Sequence, residues 1–320
     1  MKSIGQVRRA LPQEFLDRLG EFFPPPVQEE ILAGFGAERP TTLRANTLRT
    51  DVRALMRELA AGGVKFERVL WYPEALIIKN RREKDLGSLP AYREGRLYLQ
   101  SLSSMVPVLV LGPLPGERVL DVAAAPGSKT TQLAMLMQDY GYILANDSNP
   151  VRLERLKYNL RLQGVTIAEA VLSDGRSLGR CHPEAFDRVL LDAPCSGEGL
   201  FSASDPATFR HWSPARIRKF ASLQRALFTS AFETLRPGGV LVYSTCTLAP
   251  EEDELLVDWA LSAFAGRLKT EPPPLRVPGA VPALTRFDGR DLTPGVVQAF
   301  RLLPSHLFEG FFVCRFVKTR

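Results

Sequence analysis

From about residue 101 onward, short apolar runs recur between helical stretches, and most of them close on an aspartate. The runs fall at 118–122, 142–146, 167–172, 188–191 and 240–243, with Asp121, Asp147, Asp174 and Asp192 at or just beyond the ends of the first four. Strands buried on both faces read as near-continuous apolar runs, and their alternation with helices points to a parallel sheet covered on both sides. An α/β fold class with a mostly parallel, doubly wound sheet is therefore predicted for residues 101–320. In such sheets ligands bind beyond the carboxyl ends of the strands. A row of acids at those ends, taken as a series, predicts a small-molecule site; any one of them alone would read as a helix cap.

Residues 1–100 have a different rhythm. Leu11, Phe15, Leu19 and Phe22 fall at helical spacing before Pro24-Pro25-Pro26, which is expected to stop that helix. A strand is predicted at 42–46, then a helix capped by Asp51 and ended by Gly62-Gly63. Short strands around 69–70, 75–78 and 96–99 complete a small α+β unit. The chain is thus read as two domains, 1–100 and 101–320. Within the second, the Pro-rich stretch 271–282 reads as an irregular loop, and 296–303 with 310–317 as an antiparallel pair closing the sheet edge.

Four cysteines without a C-x-x-C pair, beside only three histidines, argue against a disulfide scaffold and against a zinc site. No apolar stretch reaches the length of a membrane span, and the first residues lack the apolar core of a secretory signal, so a cytoplasmic chain with no membrane partner is expected. The excess of 41 Lys+Arg over 35 Asp+Glu suits a polyanionic partner such as nucleic acid. Basic clusters at 81–84, 152–161 and 210–219 add to this, although each alone is an ordinary solvated face. Nothing demands a partner chain, so a monomer is expected.

The first strand runs into Ala123-Ala124-Ala125-Pro126-Gly127-Ser128-Lys129-Thr130, which opens a helix. Small residues let a ligand approach the backbone, and a helix N-terminus offers free N–H groups. Asp147 stands where a dinucleotide fold places its ribose-binding acid, and Asp174, ending the next strand, could reach an adenine amino group. A P-loop is excluded because that motif needs glycine where Ser128 and Ala123 stand. An NAD site is weakened by the absence of G-x-G-x-x-G.

Two cysteines follow strands in matching settings, Asp192-Ala193-Pro194-Cys195 and Ser244-Thr245-Cys246-Thr247. Together with the glycine-loop segment, these motifs resemble the Nop/Sun family (RsmB/RsmF-like) of S-adenosylmethionine-dependent RNA cytosine-5 methyltransferases. The resemblance spans about residues 40–320 and is concentrated in 120–131, 146–159, 186–200 and 235–254. It implies a Rossmann-like class I methyltransferase fold preceded by a small RNA-recognition-like domain, with S-adenosyl-L-methionine as cofactor and ribosomal RNA as substrate ahead of tRNA. It further implies Cys246 as the nucleophile toward position 6 of cytosine, Cys195 as helper in resolving the covalent adduct, and Asp192 at N3 of the base. Lys129 would lie near the reacting base, where its charge favours a thiolate. Cofactor contacts are implied for Ala123, Ala124, Ala125, Pro126, Gly127, Ser128, Lys129, Asp147, Arg152, Asp174 and Asp192. Ala123 departs from the family, which often has cysteine there; a backbone contact survives that change. No metal is implied, and Cys181 and Cys314 read as inert thiols.

Phe201, Phe209 and Trp212, near the third basic cluster, are candidates to stack or grip RNA, with helix packing an equal reading for Trp212. Two rival functions stand beside the first. A catalytically silent RNA-binding assembly factor would not need both cysteines. A methyltransferase of exocyclic base nitrogens would carry an Asn/Asp-Pro-Pro-aromatic motif where Asp192-Ala193-Pro194-Cys195 stands.

Overall fold

The chain opens with three short helices where the sequence predicts one; a computed structural model describes residues 2–319. They are α1 (Ile4–Ala10), α2 (Gln13–Phe22) and α3 (Pro25–Phe35). The proline run ends α2 and also begins α3, because proline in the first helical turn gives up no needed N–H and has its φ preset. Leu11, Phe15 and Leu19 are buried as expected, but Phe23 rather than Phe22 takes the inward place. The three helices share an apolar cluster with Phe201, Leu248 and Leu303 from the far end of the chain.

A small antiparallel sheet follows, built from β1 (Thr42–Ala45), β2 (Phe66–Arg68), β3 (Ala75–Ile78) and β4 (Leu97–Leu99) in the order β2-β3-β1-β4. Helix α4 (Val52–Ala61) connects β1 to β2, capped by Asp51, which accepts from the Ala54 N–H at 3.0 Å. Two single-turn helices, α5 (Glu83–Leu86) and α6 (Pro90–Arg93), lead to β4. The strand predicted around 69–70 lies instead at β2, leaving Leu70 exposed on the turn. Side chains alternate across a strand. Leu76 and Ile78 accordingly face Leu55 and Leu59 of α4, while Ala75 and Ile77 join the core of the larger layer. Both faces of the small sheet are covered.

Arg44 and Asn46 tie this sheet to that layer. Arg44 is fully buried and donates to Thr131 Oγ1 at 2.9 Å and Gln100 Oε1 at 3.1 Å. Asn46 Nδ2 donates to the carbonyls of Gly95 and Gln163, each at 2.8 Å. At Gly95, with φ +67°, a Cβ would stand 1.9 Å from the Leu162 carbonyl oxygen, so only glycine admits this contact.

The larger layer contains α7 (Leu102–Leu111), β5 (Arg118–Asp121), α8 (Ser128–Leu136), β6 (Tyr142–Asp147), α9 (Pro150–Gln163), β7 (Ala168–Leu172), α10 (Leu178–Cys181), β8 (Phe186–Asp192), α11 (Pro214–Thr234), β9 (Leu235–Thr245) and α12 (Glu254–Ala263). It ends with β10 (Leu268–Glu271), β11 (Ala280–Pro282), the hairpin β12 (Arg286–Phe287) and β13 (Arg290–Asp291), then β14 (Phe300–Leu302) and β15 (Phe311–Lys318). The sheet order is β11-β14-β15-β9-β8-β5-β6-β7, with β10 beside β15. Strands β9, β8, β5, β6 and β7 are parallel. The final pair is antiparallel as predicted, with β15 lying along β9. The stretch 271–282 is irregular only in its middle, since its ends belong to β10 and β11.

The chain leaves β5 toward β6 and β7 on one side and returns to β8 and β9 on the other. The strand order therefore reverses between β5 and β8, where an open α/β sheet forms its binding crevice. No helix among the described residues is long and apolar enough to cross a membrane.

Candidate active site

Strands β8 and β9 run in parallel register with Asp192 opposite Ser244. The pairing continues one residue further, as the Ala193 N–H donates to the Ser244 carbonyl at 2.8 Å. Pro194, with no N–H to offer, ends it. Cys195, three residues past Asp192, and Cys246, two past Ser244, meet there with their sulfurs 3.2 Å apart. Both are free and half-buried. The Cys246 sulfur beside it, together with burial, holds the Cys195 thiol well above its usual range. Cys195 thus keeps its proton and can share it with the Cys246 sulfur. Cys181 is exposed and Cys314 is buried in β15, both outside this pair.

Cys246 lines a cleft of about 630 Å³ whose walls include Gln100, Ser104, Lys129, Asp192 and Phe311. Cys195 is absent from that lining. Asp192 Oδ2 lies 2.7 Å from Lys129 Nζ, and its Oδ1 accepts from the Ser244 hydroxyl at 2.7 Å. The ammonium also donates to Ser104 Oγ at 2.9 Å and stands 5.6 Å from the centre of the Phe311 ring. Lys129, expected near the reacting base, is paired with the Asp192 carboxylate in the cleft that Cys246 also lines. Charge-assisted contacts of this kind are the strong ones.

The loop after β5 reaches the same cleft through Pro126, Ser128 and Lys129. Gly127 has φ +107°, which lets the chain turn directly into α8. Beneath the loop Asp121 is buried and accepts from Thr130 Oγ1 at 2.7 Å; burial pushes its carboxyl up to about 7. Asp147 Oδ1 accepts from the Asn149 N–H at 2.9 Å, and its Oδ2 lies 3.3 Å from both the Ala125 N–H and Arg152 Nη2. Arg152 also donates to the Ala125 carbonyl at 2.5 Å. Ala123 and Ala124 complete the loop between Asp121 and these contacts.

Asp174 is half-exposed and taken up by Arg176, whose side chain and N–H hold its carboxyl below the usual range. Asp147 and Asp174 lie outside the cleft lining. The buried Asp121 Oδ1 and Asn146 Oδ1 have no partner. Unsatisfied acceptors at two strand ends, under a loop of small residues, fit a polar nucleoside-type ligand. Among the described residues no group of three or more His, Cys, Asp or Glu could hold a metal ion.

The aromatic candidates behave otherwise than expected. Phe201 is fully buried and packs on Phe15 and Phe35, so it cannot stack a base. Phe209 leans on Phe201, and Trp212 packs edge-on against Phe15 while its Nε1 donates to the buried Glu198 at 2.8 Å. Helix packing is the structural role of Trp212. Arg210, Arg216, Arg218 and Lys219 remain exposed beside it.

Several residues that shape the site were not singled out in the sequence: Ser104, Gln224 and Glu252. The last two left a faint signal. Gln224 is the longest polar side chain on the buried face of α11, and Glu252 lies in an acidic run, Glu251 to Glu254, just past the second thiol.

Comparison with known proteins bears on this arrangement. Residues 108–317 match a family described as 16S rRNA methyltransferase RsmB/F, and residues 11–83 match its ferredoxin-like domain. The ribosomal RNA small subunit methyltransferase F of Cronobacter sakazakii is 40% identical over 326 residues, covering 100% of this chain and 65% of that protein. Its Escherichia coli counterpart is 38% identical over 97% of this chain and 64% of that protein. The chain thus spans just under two-thirds of the length of these relatives.

Among solved structures, a methyltransferase homolog protein from Pyrococcus horikoshii superposes with a TM-score of 0.86 at 35% identity, covering 99% of this chain and 98% of that one. NSun6 from Pyrococcus horikoshii, solved with SFG, gives 0.84 at 25% identity, covering 98% of this chain and 100% of that one. With two-thirds of its residues matched to the catalytic model and the preceding ones to the ferredoxin-like domain, the chain belongs to the 16S rRNA methyltransferase RsmB/F family.

Proposed function

We propose that this chain is an S-adenosylmethionine-dependent RNA cytosine-5 methyltransferase of small-subunit ribosomal RNA. The observation that carries the reading is the pair of thiols 3.2 Å apart, with Cys246 open to a cleft also lined by the paired Asp192 and Lys129. Transfer to an exocyclic nitrogen would call for neither thiol. Position 5 of cytosine is a poor nucleophile, and adding a thiolate at position 6 makes it enamine-like, splitting one hard step into easier ones.

In the proposed reaction Cys246 bonds to C6 as its thiol proton passes to N3 through Asp192, which Lys129 and Ser244 hold, and that proton returns the same way when the sulfur leaves. S-adenosylmethionine would supply the methyl group that C5 takes. Residues 123–129, Asp147, Arg152 and Asp174 would hold it, with Asp192 at its reacting end; Asp174 would do so only after letting go of Arg176. Once the Cys246 sulfur is bonded to the base, the larger of the two causes that hold the Cys195 thiol up is gone, and Cys195 releases its proton to water. Cys195 as thiolate then takes the proton from C5. The C5–H electron pair becomes the C5–C6 double bond, and the C6–S bond breaks to return Cys246 as thiolate. The base must enter unstacked to reach this depth.

Residues 1–100 and 101–320 are proposed as two domains, the first presenting RNA to the second, in a monomer acting in the cytoplasm. The test uses 16S rRNA and tRNA transcripts with labelled methyl donor. Cys246→Ala should abolish transfer, and Cys195→Ala should leave a covalent protein–RNA complex on a denaturing gel. Full transfer by Cys246→Ala would sink the thiol mechanism.

A further inference from the structure

Pro194 and Ser196, the residues on either side of Cys195, are both held by one buried side-chain pair. Gln224, from the middle of α11, donates from Nε2 to the Pro194 carbonyl at 3.0 Å and to Glu252 Oε2 at 2.8 Å. The same Glu252 oxygen accepts from the Ser196 N–H at 2.9 Å. We propose that the Gln224–Glu252 pair is a positioning clamp that holds the Cys195 sulfur against Cys246. The inference rests on the roles proposed above for the two thiols and goes beyond them by assigning residues outside their motifs.

Three features support it. Residues 194–197 form no regular structure, so the strands do not by themselves place Cys195. The clamp is referenced to the other thiol's strand: the Tyr243 hydroxyl, on β9, donates to the Glu252 carbonyl at 2.6 Å. Both clamp side chains have 0% exposure, and each keeps one oxygen, Gln224 Oε1 and Glu252 Oε1, with no partner. Burying polar groups incompletely paired costs free energy that a leucine at either position would not. Packing alone does not explain them; the need to hold a sulfur to within a fraction of an ångström does.

With Glu252 as carboxylate the leftover oxygens are both acceptors, and its raised carboxyl supplies a donor once protonated. A carboxamide at position 252 would supply one while keeping an oxygen for Ser196 and Gln224. That makes Glu252→Gln a conservative replacement in which the clamp survives, and Gln224→Leu one in which it is lost.

The full chain, 16S rRNA transcript and S-adenosylmethionine are mixed, and covalent protein–RNA complex is followed on denaturing gels beside Cys195→Ala. Gln224→Leu should form the adduct at the wild-type rate and then retain it, at least tenfold over wild type and close to Cys195→Ala. Glu252→Gln should clear it at the wild-type rate. Clearance at the wild-type rate by Gln224→Leu, or retention by Glu252→Gln, overturns the clamp. Should Gln224→Leu lose its thermal melt, Gln224→Met takes its place, and the Glu252→Gln arm decides in either case. If Cys195→Ala itself traps nothing while wild type methylates, the thiol roles fail and the clamp falls with them. If Cys195→Ala traps and Gln224→Leu does not, the clamp alone fails.

Discussion

The two thiol segments begin from equivalent positions on neighbouring parallel strands and are built in opposite ways. Cys246 continues β9 and is backed by buried charge. Thr245 Oγ1 donates to Asp253 at 2.5 Å, and the fully buried Arg301 pairs with Asp253 at 3.0 Å and with Glu254. Cys195 has left its strand behind Pro194 and is held by side chains from α11 and from the turn before α12. The two segments touch through the residues after the cysteines, Ser196 Oγ and Thr247 Oγ1, 2.7 Å apart. Cys246 thus inherits its position from the sheet, and Cys195 is positioned by contacts that can be removed singly.

Asp192→Asn strikes the point shared by both segments and is expected to have the largest effect. Loss of proton sharing at N3 should lower kcat by about 10²–10⁴-fold. Labelled-methyl kinetics would show this, and the denaturing gel should show slow adduct formation without retention. That pattern separates the Cys246 side from the Cys195 side.

Arg301→Met tests the backing of Cys246 alone. It leaves Asp253 and Glu254 buried without their cation, which should cost about 3–5 kcal/mol in urea unfolding. A change below about 1 kcal/mol would mean that the carboxyls are neutral in the folded chain.

The pH dependence of stability weighs the Cys195 side. Burial raises the Glu252 carboxyl from 4.5 to about 7. Between those values the folded chain holds a proton that the unfolded chain has released, so stability falls as pH rises from about 4.5 to about 7 and is level above. The contribution is on the order of 3 kcal/mol, and Asp121, raised for the same reason, adds in the same direction. Melting curves should show wild type more stable at the acidic end of that window, with Glu252→Gln flattening part of the slope. The smallest effect is expected from Thr247→Val, which removes the hydroxyl joining the two segments and should cost about 1 kcal/mol by urea unfolding.

Much of this comparison could be read in the sequence because it rests on periodicity and on residues that interrupt it. Apolar runs closing on Asp121, Asp147 and Asp192 place a crevice at the strand ends, and Pro194 shows where one strand must stop. What was not legible depended on direction rather than residue type. Phe201 beside a basic cluster looks like a base-stacking platform, yet the three N-terminal helices bury it, and nothing in its neighbourhood announces a partner nearly 190 residues away in sequence, Phe15. Gln224 reads as one more polar helix residue until the carbonyl it serves is seen. Pro24–Pro26 signals a break and equally a start, and only packing decides between them.

Arg44 and Asn46, described above as ties between the small sheet and the larger layer, also set the mechanical character of the molecule. Swinging the small sheet away would strand a buried guanidinium and strip the Gln163 carbonyl of its donor, so these contacts oppose a hinge at the cleft mouth. On the proposed reading, admission is then decided by the RNA: a strand already loose enough to thread the opening would be accepted, and one locked in helix would be refused. Timing within ribosome maturation would be read from the state of the substrate, with no moving part in the enzyme.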